Sequence, residues 1–265
     1  MKKLILCLAC LSAVALLAAA WMPDSPAAPA GQTGVFREIF SVPLADNEAA
    51  FVYLGYSAVI VRTSKGAVII DPAMLLMKED MDAFKGKKVD AVLYTHGHGD
   101  HFDLKTAVDL FKATDAFIGA ESQVVQALKK GGEIPAGKIV DFGTNPLQTL
   151  GAWTITPVRG QHVGPIVLFH LATGGIALFH GGDSAYVPLK NLAAGLAFLP
   201  AGDPSPTASP DAALKMAQDL KPRIVVLFHG SDAQYEEFKK KAKTVLPGVE
   251  VIVPGTMKVY TVKIS

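Results

Sequence analysis

The chain has 265 residues, 50% of them hydrophobic, with 25 basic and 24 acidic side chains and a formal net charge of +1. That length and apolar content allow one large domain or two small ones and exclude disorder over most of the chain. The near balance of charge, with no basic stripe to neutralise phosphates, excludes a nucleic-acid partner and an anionic membrane surface.

Lys2 and Lys3 precede an apolar stretch, Leu4 to Trp21, that passes through Ala18-Ala19-Ala20 just ahead of a Pro-rich segment. This is the pattern of a secretory signal peptide over residues 1–20 with an A-x-A-like cleavage site. An uncleaved anchor is the alternative, since the stretch is near the lower length limit for crossing a bilayer. The body is then expected to be exported, periplasmic or extracellular, with no stable membrane insertion after cleavage. Both cysteines, Cys7 and Cys10, fall in this segment, so the mature chain would hold no disulfide. Cys7-Leu8-Ala9 is a poor lipid-attachment motif ahead of Cys10. Loss of Lys2 and Lys3 takes the charge of +1 down by two, to −1.

Residues 21–34, rich in Pro, Ala and Gly, read as a flexible linker, and residues 35–265 as one domain, because no shift of composition divides them. Strands are expected at Phe51–Leu54, Ser57–Arg62 and Ala67–Ile70, the last two joined by a Thr63-Ser64-Lys65-Gly66 turn. A helix follows over Met74–Phe84, then a buried strand Val89–Tyr94, a histidine-rich loop and a helix Leu104–Phe111. Phe117–Gly119 is a short strand, and the helix Glu121–Lys129 stops at Gly131-Gly132. The second half repeats the grammar, with strands at Trp153–Val158, Ile166–Leu171 and Ile176–His180. A helix Pro210–Leu220, a strand Ile224–Phe228, a helix Ala233–Lys243 and strands Val251–Val253 and Lys258–Val262 complete it. Two similar halves of sheet flanked by helices predict an α/β body of four layers. No helix shows a clear heptad or an exposed apolar stripe, so the oligomeric state is not read.

Residues 96–101 are His-Gly-His-Gly-Asp-His: three imidazoles and a carboxylate within six positions, with small glycines that let the backbone fold tightly. Neutral imidazole and carboxylate together suit borderline divalent ions such as zinc. Three other strand exits place candidate ligands just beyond apolar residues: His162, Asp183 and His229. His170 and His180, inside apolar strands, are expected to make hydrogen bonds in the core or to residues that hold the metal ligands in place. Asp71, ahead of Pro72, is expected to fix a turn and bond loop backbone. Tyr186 is expected to be an ordinary packed tyrosine, with donation to a developing oxyanion as the alternative.

The ordered series of His96 to His101, a lone His162, Gly181-Gly182-Asp183-Ser184 and a strand ending in His229 resembles the motifs of the metallo-β-lactamase superfamily. Its spacing is most similar to the metal-dependent hydrolase branch around the L-ascorbate-6-phosphate lactonase group. Val68-Ile69-Ile70-Asp71-Pro72, Pro206-Thr207-Ala208-Ser209-Pro210 and Val253-Pro254-Gly255 resemble further stretches of it. The resemblance implies a four-layer αββα metallo-β-lactamase sandwich holding two divalent metal ions, zinc first, with manganese or iron as alternatives. It also implies that His96, His98 and His162 hold one ion, that Asp100, His101 and His229 hold the other, and that Asp183 bridges them.

A metal-bridging hydroxide would then attack an ester, lactone, amide or phosphodiester of a small-molecule substrate, with Asp100 shuttling a proton to the leaving group. Iron-dependent oxygen or sulfur chemistry on the same fold is a second reading. Hydrolysis of a β-lactam is a third, narrowed because a cysteine-ligated zinc site is excluded in the mature chain. The complete ligand set argues against a non-catalytic binding protein. One departure stands out: the last ligand strand ends Leu227-Phe228-His229-Gly230, where the branch resembled has a Pro-Met-His-Tyr-like form, removing an aromatic neighbour from the cleft.

Overall fold

The computed structural model describes residues 33–202 and 207–264. The expected signal peptide, both cysteines, residues 21–32 of the linker and Pro206 lie outside the described residues.

The described residues open on α1 (Thr33–Ser41), a helix the sequence pattern did not announce, which takes in residues 33 and 34 of the expected linker. Phe36 and Ile39, three apart, are fully buried in it, which is helical spacing for one apolar face. Next come β1 (Glu48–Gly55), β2 (Ala58–Thr63) and β3 (Ala67–Ile70), then a short helix α2 (Met81–Phe84). β4 (Ala91–Tyr94), α3 (Leu104–Thr114), β5 (Phe117–Ala120), α4 (Ser122–Gly131) and β6 (Ile139–Asp141) complete the first half. The second half has β7 (Gln148–Leu150), β8 (Trp153–Arg159), β9 (Val167–Thr173), β10 (Ile176–His180), β11 (Leu196–Pro200) and α5 (Pro210–Leu220). It ends with β12 (Ile224–Phe228), α6 (Asp232–Val245), β13 (Glu250–Ile252) and β14 (Val259–Lys263).

Two seven-stranded sheets result, ordered β14-β1-β2-β3-β4-β5-β6 and β13-β12-β11-β10-β9-β8-β7. Successive residues of a strand face opposite ways, and here both ways are covered. In β4, Val92 and Tyr94 pack toward α1–α4, while Ala91 and Leu93 pack between the sheets against Phe169 and their neighbours. The far side of the second sheet packs on α5 and α6 through Phe179, Leu199 and Phe238. This is the four-layer αββα order expected, and double-sided burial is why the strands read as unbroken apolar runs.

The helix expected over Met74–Phe84 is the main local correction. Only a 3-10 turn, Lys78–Asp80, and the single turn of α2 form there. The Asp80 carboxylate accepts from the Met77 N–H at 2.8 Å, capping the segment at 77, and Ala73 donates its N–H to the His101 carbonyl at 3.0 Å. Side-chain and long-range partners thus claim the backbone that a helix would need. β11 was also unread, because Leu196-Ala-Phe-Leu-Pro200 lacks β-branched residues; it is nevertheless a fully buried parallel strand between β10 and β12.

Strands β3, β4, β5, β10, β11 and β12 all deliver their carboxyl ends to one edge of the sandwich, through parallel pairings within each sheet. Every candidate ligand lies just past that edge or on the β8–β9 loop beside it.

Candidate metal centre

The seven candidate ligands converge into two neighbouring groups. The donor atoms of His96, His98 and His162 all lie within 4.8 Å of one another, and so do those of Asp100, His101, Asp183 and His229. In the first group, His98 Nδ1 is 3.0 Å from His96 Nε2 and 3.2 Å from His162 Nε2. In the second, Asp183 Oδ2 stands 3.1 Å from both His101 Nε2 and His229 Nε2, with Asp100 Oδ2 3.5 Å from His101 Nε2. Ligands about 2.0–2.2 Å from a tetrahedral ion are separated by roughly 3.3–3.5 Å, so both groups are close to the size of an ion's coordination sphere.

The tautomers also suit a metal. Thr95 Oγ1 gives its single proton to Asp71 Oδ2 (2.7 Å), so at 3.0 Å from His96 Nδ1 it can only accept. His96 therefore carries its proton on Nδ1 and turns a lone pair inward from Nε2. Burial, then the adjacent His101, drives the His96 imidazole down to about 3, which keeps it neutral. His101 is anchored in the same way, with Nδ1 3.0 Å from Asp71 Oδ2.

Asp71 is the fixed point behind the site. It is fully buried and accepts from Ser57 Oγ (2.9 Å) and from the Thr95 N–H (2.7 Å) as well as from Thr95 Oγ1 and His101. Burial pushes its carboxyl up, but His101 outweighs that and leaves it below the ordinary carboxylate range. The expectation for Asp71, bonding to loop backbone near the site, is what the structure shows.

Burial works against charge on His101, yet Asp71, Asp100 and Asp183 hold its pKa well above the ordinary histidine value. Those carboxylates call for a positive charge at Nε2, which a proton or a metal ion can supply. Burial likewise raises Asp183, and His101 with His229 overcomes it, leaving Asp183 well below the usual range. Despite the short distances, His101 Nε2, His229 Nε2 and Asp183 Oδ1 are buried without a hydrogen-bond partner. The two nitrogens lie 3.1 Å from Asp183 Oδ2 without donor-to-acceptor alignment, and Oδ1 is left open, so a cation can take up these atoms.

Backbone strain marks the same place. His229 has φ +59 and Asp71 φ +50, the left-handed region that side chains rarely adopt. Gly202 is obligatory beside His229, because a Cβ there would coincide with the His229 carbonyl.

The family described as beta-lactamase superfamily domain matches residues 67–230, a span containing all seven candidate ligands. The chain is 32% identical over 187 residues to a UPF0173 metal-dependent hydrolase of Thermus thermophilus, covering 67% of this chain and 81% of that protein. A UPF0173 metal-dependent hydrolase of Staphylothermus marinus is 30% identical over 238 residues, covering 80% and 99% of the two chains. The chain belongs to the metallo-β-lactamase superfamily, in the UPF0173 family of metal-dependent hydrolases. Among solved structures, the Igni18 metallo hydrolase of Ignicoccus hospitalis shares the fold, with a TM-score of 0.67 at 22% identity, covering 82% of this chain and all of that one.

In this UPF0173 hydrolase the remaining expectations resolve one by one. His180 donates from Nε2 to the Ser57 carbonyl (2.8 Å) and accepts at Nδ1 from the Gly182 N–H (3.2 Å), fixing the turn that presents Asp183. His170 donates to the Ala193 carbonyl at 2.8 Å. Tyr186 donates to Asp219 at 3.0 Å, with the Lys215 ammonium over its ring, so it is packed against α5.

Sequence reasoning missed Ser57, Thr95 and Tyr235. Thr95 adjoins the histidine motif and could have been found by asking what orients His96; Ser57 and Tyr235 carry no local signal. The Tyr235 hydroxyl accepts from the Gly230 N–H at 2.8 Å, and a Cβ at 230 would meet the Tyr235 ring at 2.7 Å. The aromatic neighbour absent from the strand end is thus supplied from α6.

Proposed function

We propose that this hydrolase is an exported enzyme that works with two divalent metal ions, zinc first, with manganese or iron as alternatives. It would cleave an ester, lactone, amide or phosphodiester bond of a small molecule. His96, His98 and His162 would hold one ion, Asp100, His101 and His229 the other, with Asp183 shared between them. The observation that carries this reading is that two adjacent donor groups converge, that His101, Asp183 and His229 of one of them hold buried atoms without a hydrogen-bond partner, and that the outer nitrogens of His96 and His101 are locked by Thr95 and Asp71. The signal-peptide pattern of residues 1–20 supports export.

Bound there, the ions supply a nucleophile at neutral pH and polarise the oxygen of the scissile group. The protein's own part is orientation and proton transfer. Asp71 and Thr95 hold two imidazoles in one tautomer, so no rotation is needed before a ligand binds. Asp100 is partly exposed; burial raises its carboxyl, and His101 more than offsets this, so it is ionised at neutral pH. Asp100 Oδ2 can accept a proton from attacking water and pass it to the leaving oxygen.

The test is metal analysis of the purified protein together with chromogenic esters, lactones, phosphodiesters and a cephalosporin, before and after chelation. Two equivalents of zinc or manganese with chelator-sensitive hydrolysis are expected. Chelator-insensitive turnover, or bound iron with no hydrolysis, would contradict the reading.

A further inference from the structure

The surface around the donor groups has an unusual chemistry. The loops that carry the donors, 95–103, 160–166, 181–187 and 229–232, and the flanking segments 55–57 and 71–77 contain none of the chain's 25 lysines and arginines. Arg159, three residues before His162, lines a cavity of about 390 Å³ with Glu121, Ser122, Asn145 and the far end of that loop, Pro165 and Ile166; none of the seven candidate ligands lines it. No basic side chain in those loops is available to hold a phosphate.

What the loops offer is apolar surface. Met74 and Val163, at 70% and 69% exposure, are the two most exposed large hydrophobic side chains among the described residues. They flank the donors from opposite sheets. Val163 follows His162, and Met74 follows Ala73, whose N–H bonds the His101 carbonyl at 3.0 Å. Ala73 sits at φ +44 and Asp71 at φ +50, so the chain carries strain in the segment that leaves Met74 in solvent. Met77, three residues after Met74, is 50% exposed. Exposed apolar side chains beside a polar centre can cover the apolar part of a ligand held there, and flexible methionine suits an alkyl chain of variable shape.

We propose that the substrate is an uncharged ester or lactone whose apolar acyl portion lies across Met74 and Val163, and that phosphate-bearing compounds are poor substrates. This rests on the hydrolase reading above and narrows its bond classes. Water's oxygen adds to the acyl carbon and the acyl C–O bond breaks. One water proton goes to the leaving alkoxide and the other to solvent, giving an alcohol and a carboxylate.

The test uses the zinc-loaded full chain and two sets of probes. The first is p-nitrophenyl acetate, butyrate, hexanoate and octanoate beside bis(p-nitrophenyl) phosphate. With the acyl chain half buried, kcat/KM should rise about twofold per methylene, and the phosphodiester should be at least about tenfold slower than the octanoate. The double variant Met74→Ser with Val163→Ser should cut that chain-length slope to less than half. The second set is alkyl hydroxamic acids of matching length, whose Kd by calorimetry should fall by the same factor per methylene without any turnover. Turnover or binding with a flat chain-length dependence, or preference for the phosphodiester, overturns the substrate assignment and leaves the hydrolase reading standing. No turnover and no hydroxamate binding by zinc-loaded protein overturns both.

Discussion

The two donor groups are built to different standards. Asp100, His101, Asp183 and His229 form the deeper one: His101 is completely buried, Asp183 is 4% exposed, and Asp71, Ser57 and the His180-fixed turn stand behind them. His96, His98 and His162 form the shallower one, with His98 exposed and His162 carried on the loop between β8 and β9. His96 has a rigid partner in the loop behind it, Thr95. The difference teaches that a fixed ligand needs a buried partner on its outer nitrogen, and that Asp71 supplies one directly to the deep group and indirectly, through Thr95, to the shallow one. Pre-oriented ligands lose less entropy on binding, so the deep group is expected to hold a metal ion more tightly than the shallow one.

Four substitutions or conditions separate the groups, from the largest expected effect to the smallest. Asp183→Asn removes the carboxylate nearest both His101 and His229; turnover should fall by about 10³-fold or more, with far-UV circular dichroism unchanged. Full activity in that variant would contradict its role. Asp71→Asn should weaken metal binding at both groups by roughly 10–100-fold, measured by competition with a chromogenic chelator. An effect confined to one group would show that Thr95 does not relay the hold.

His162→Ala should remove one equivalent of metal and weaken the deep group by no more than about tenfold, since the groups adjoin and couple but His162 is not among the deep group's donors; loss of both equivalents would mean that the groups bind as a unit. In chelated protein, stability should fall as the pH drops from about 6.5 toward 3. His96, held at about 3 in the fold, gains its proton at higher pH when unfolded, so acid favours the unfolded chain. Thermal melts at pH 7 and pH 5 check this, and His96→Gln should weaken the dependence.

Much of this was legible in the sequence, for physical reasons. The convergence of the seven candidate ligands was, because each stands just past a strand end or on a loop beside one and glycines let the backbone approach, as in His96-Gly-His-Gly-Asp-His and Gly181-Gly-Asp. The four layers were legible because doubly buried strands leave apolar runs such as Ile224 to Phe228. What hid was whatever depends on partners distant in sequence. Ser57 touches Asp71 and His101 only after β2 and β3 are laid side by side. Tyr235 reaches Gly230 only because α6 folds back over the strand end. The segment from Met74 to Phe84 has helical spacing, but tertiary bonds at Ala73 and the Asp80 cap overrule it. β11 is sheet by position between β10 and β12, not by propensity.

The most direct measurement is a calorimetric titration of zinc into chelated protein, repeated with His229→Ala and His98→Ala. Two binding steps are expected in the parent, with the tighter one lost in His229→Ala and the weaker one lost in His98→Ala. A single step in the parent, or loss of the same step in both variants, would contradict a pair of unequal metal sites.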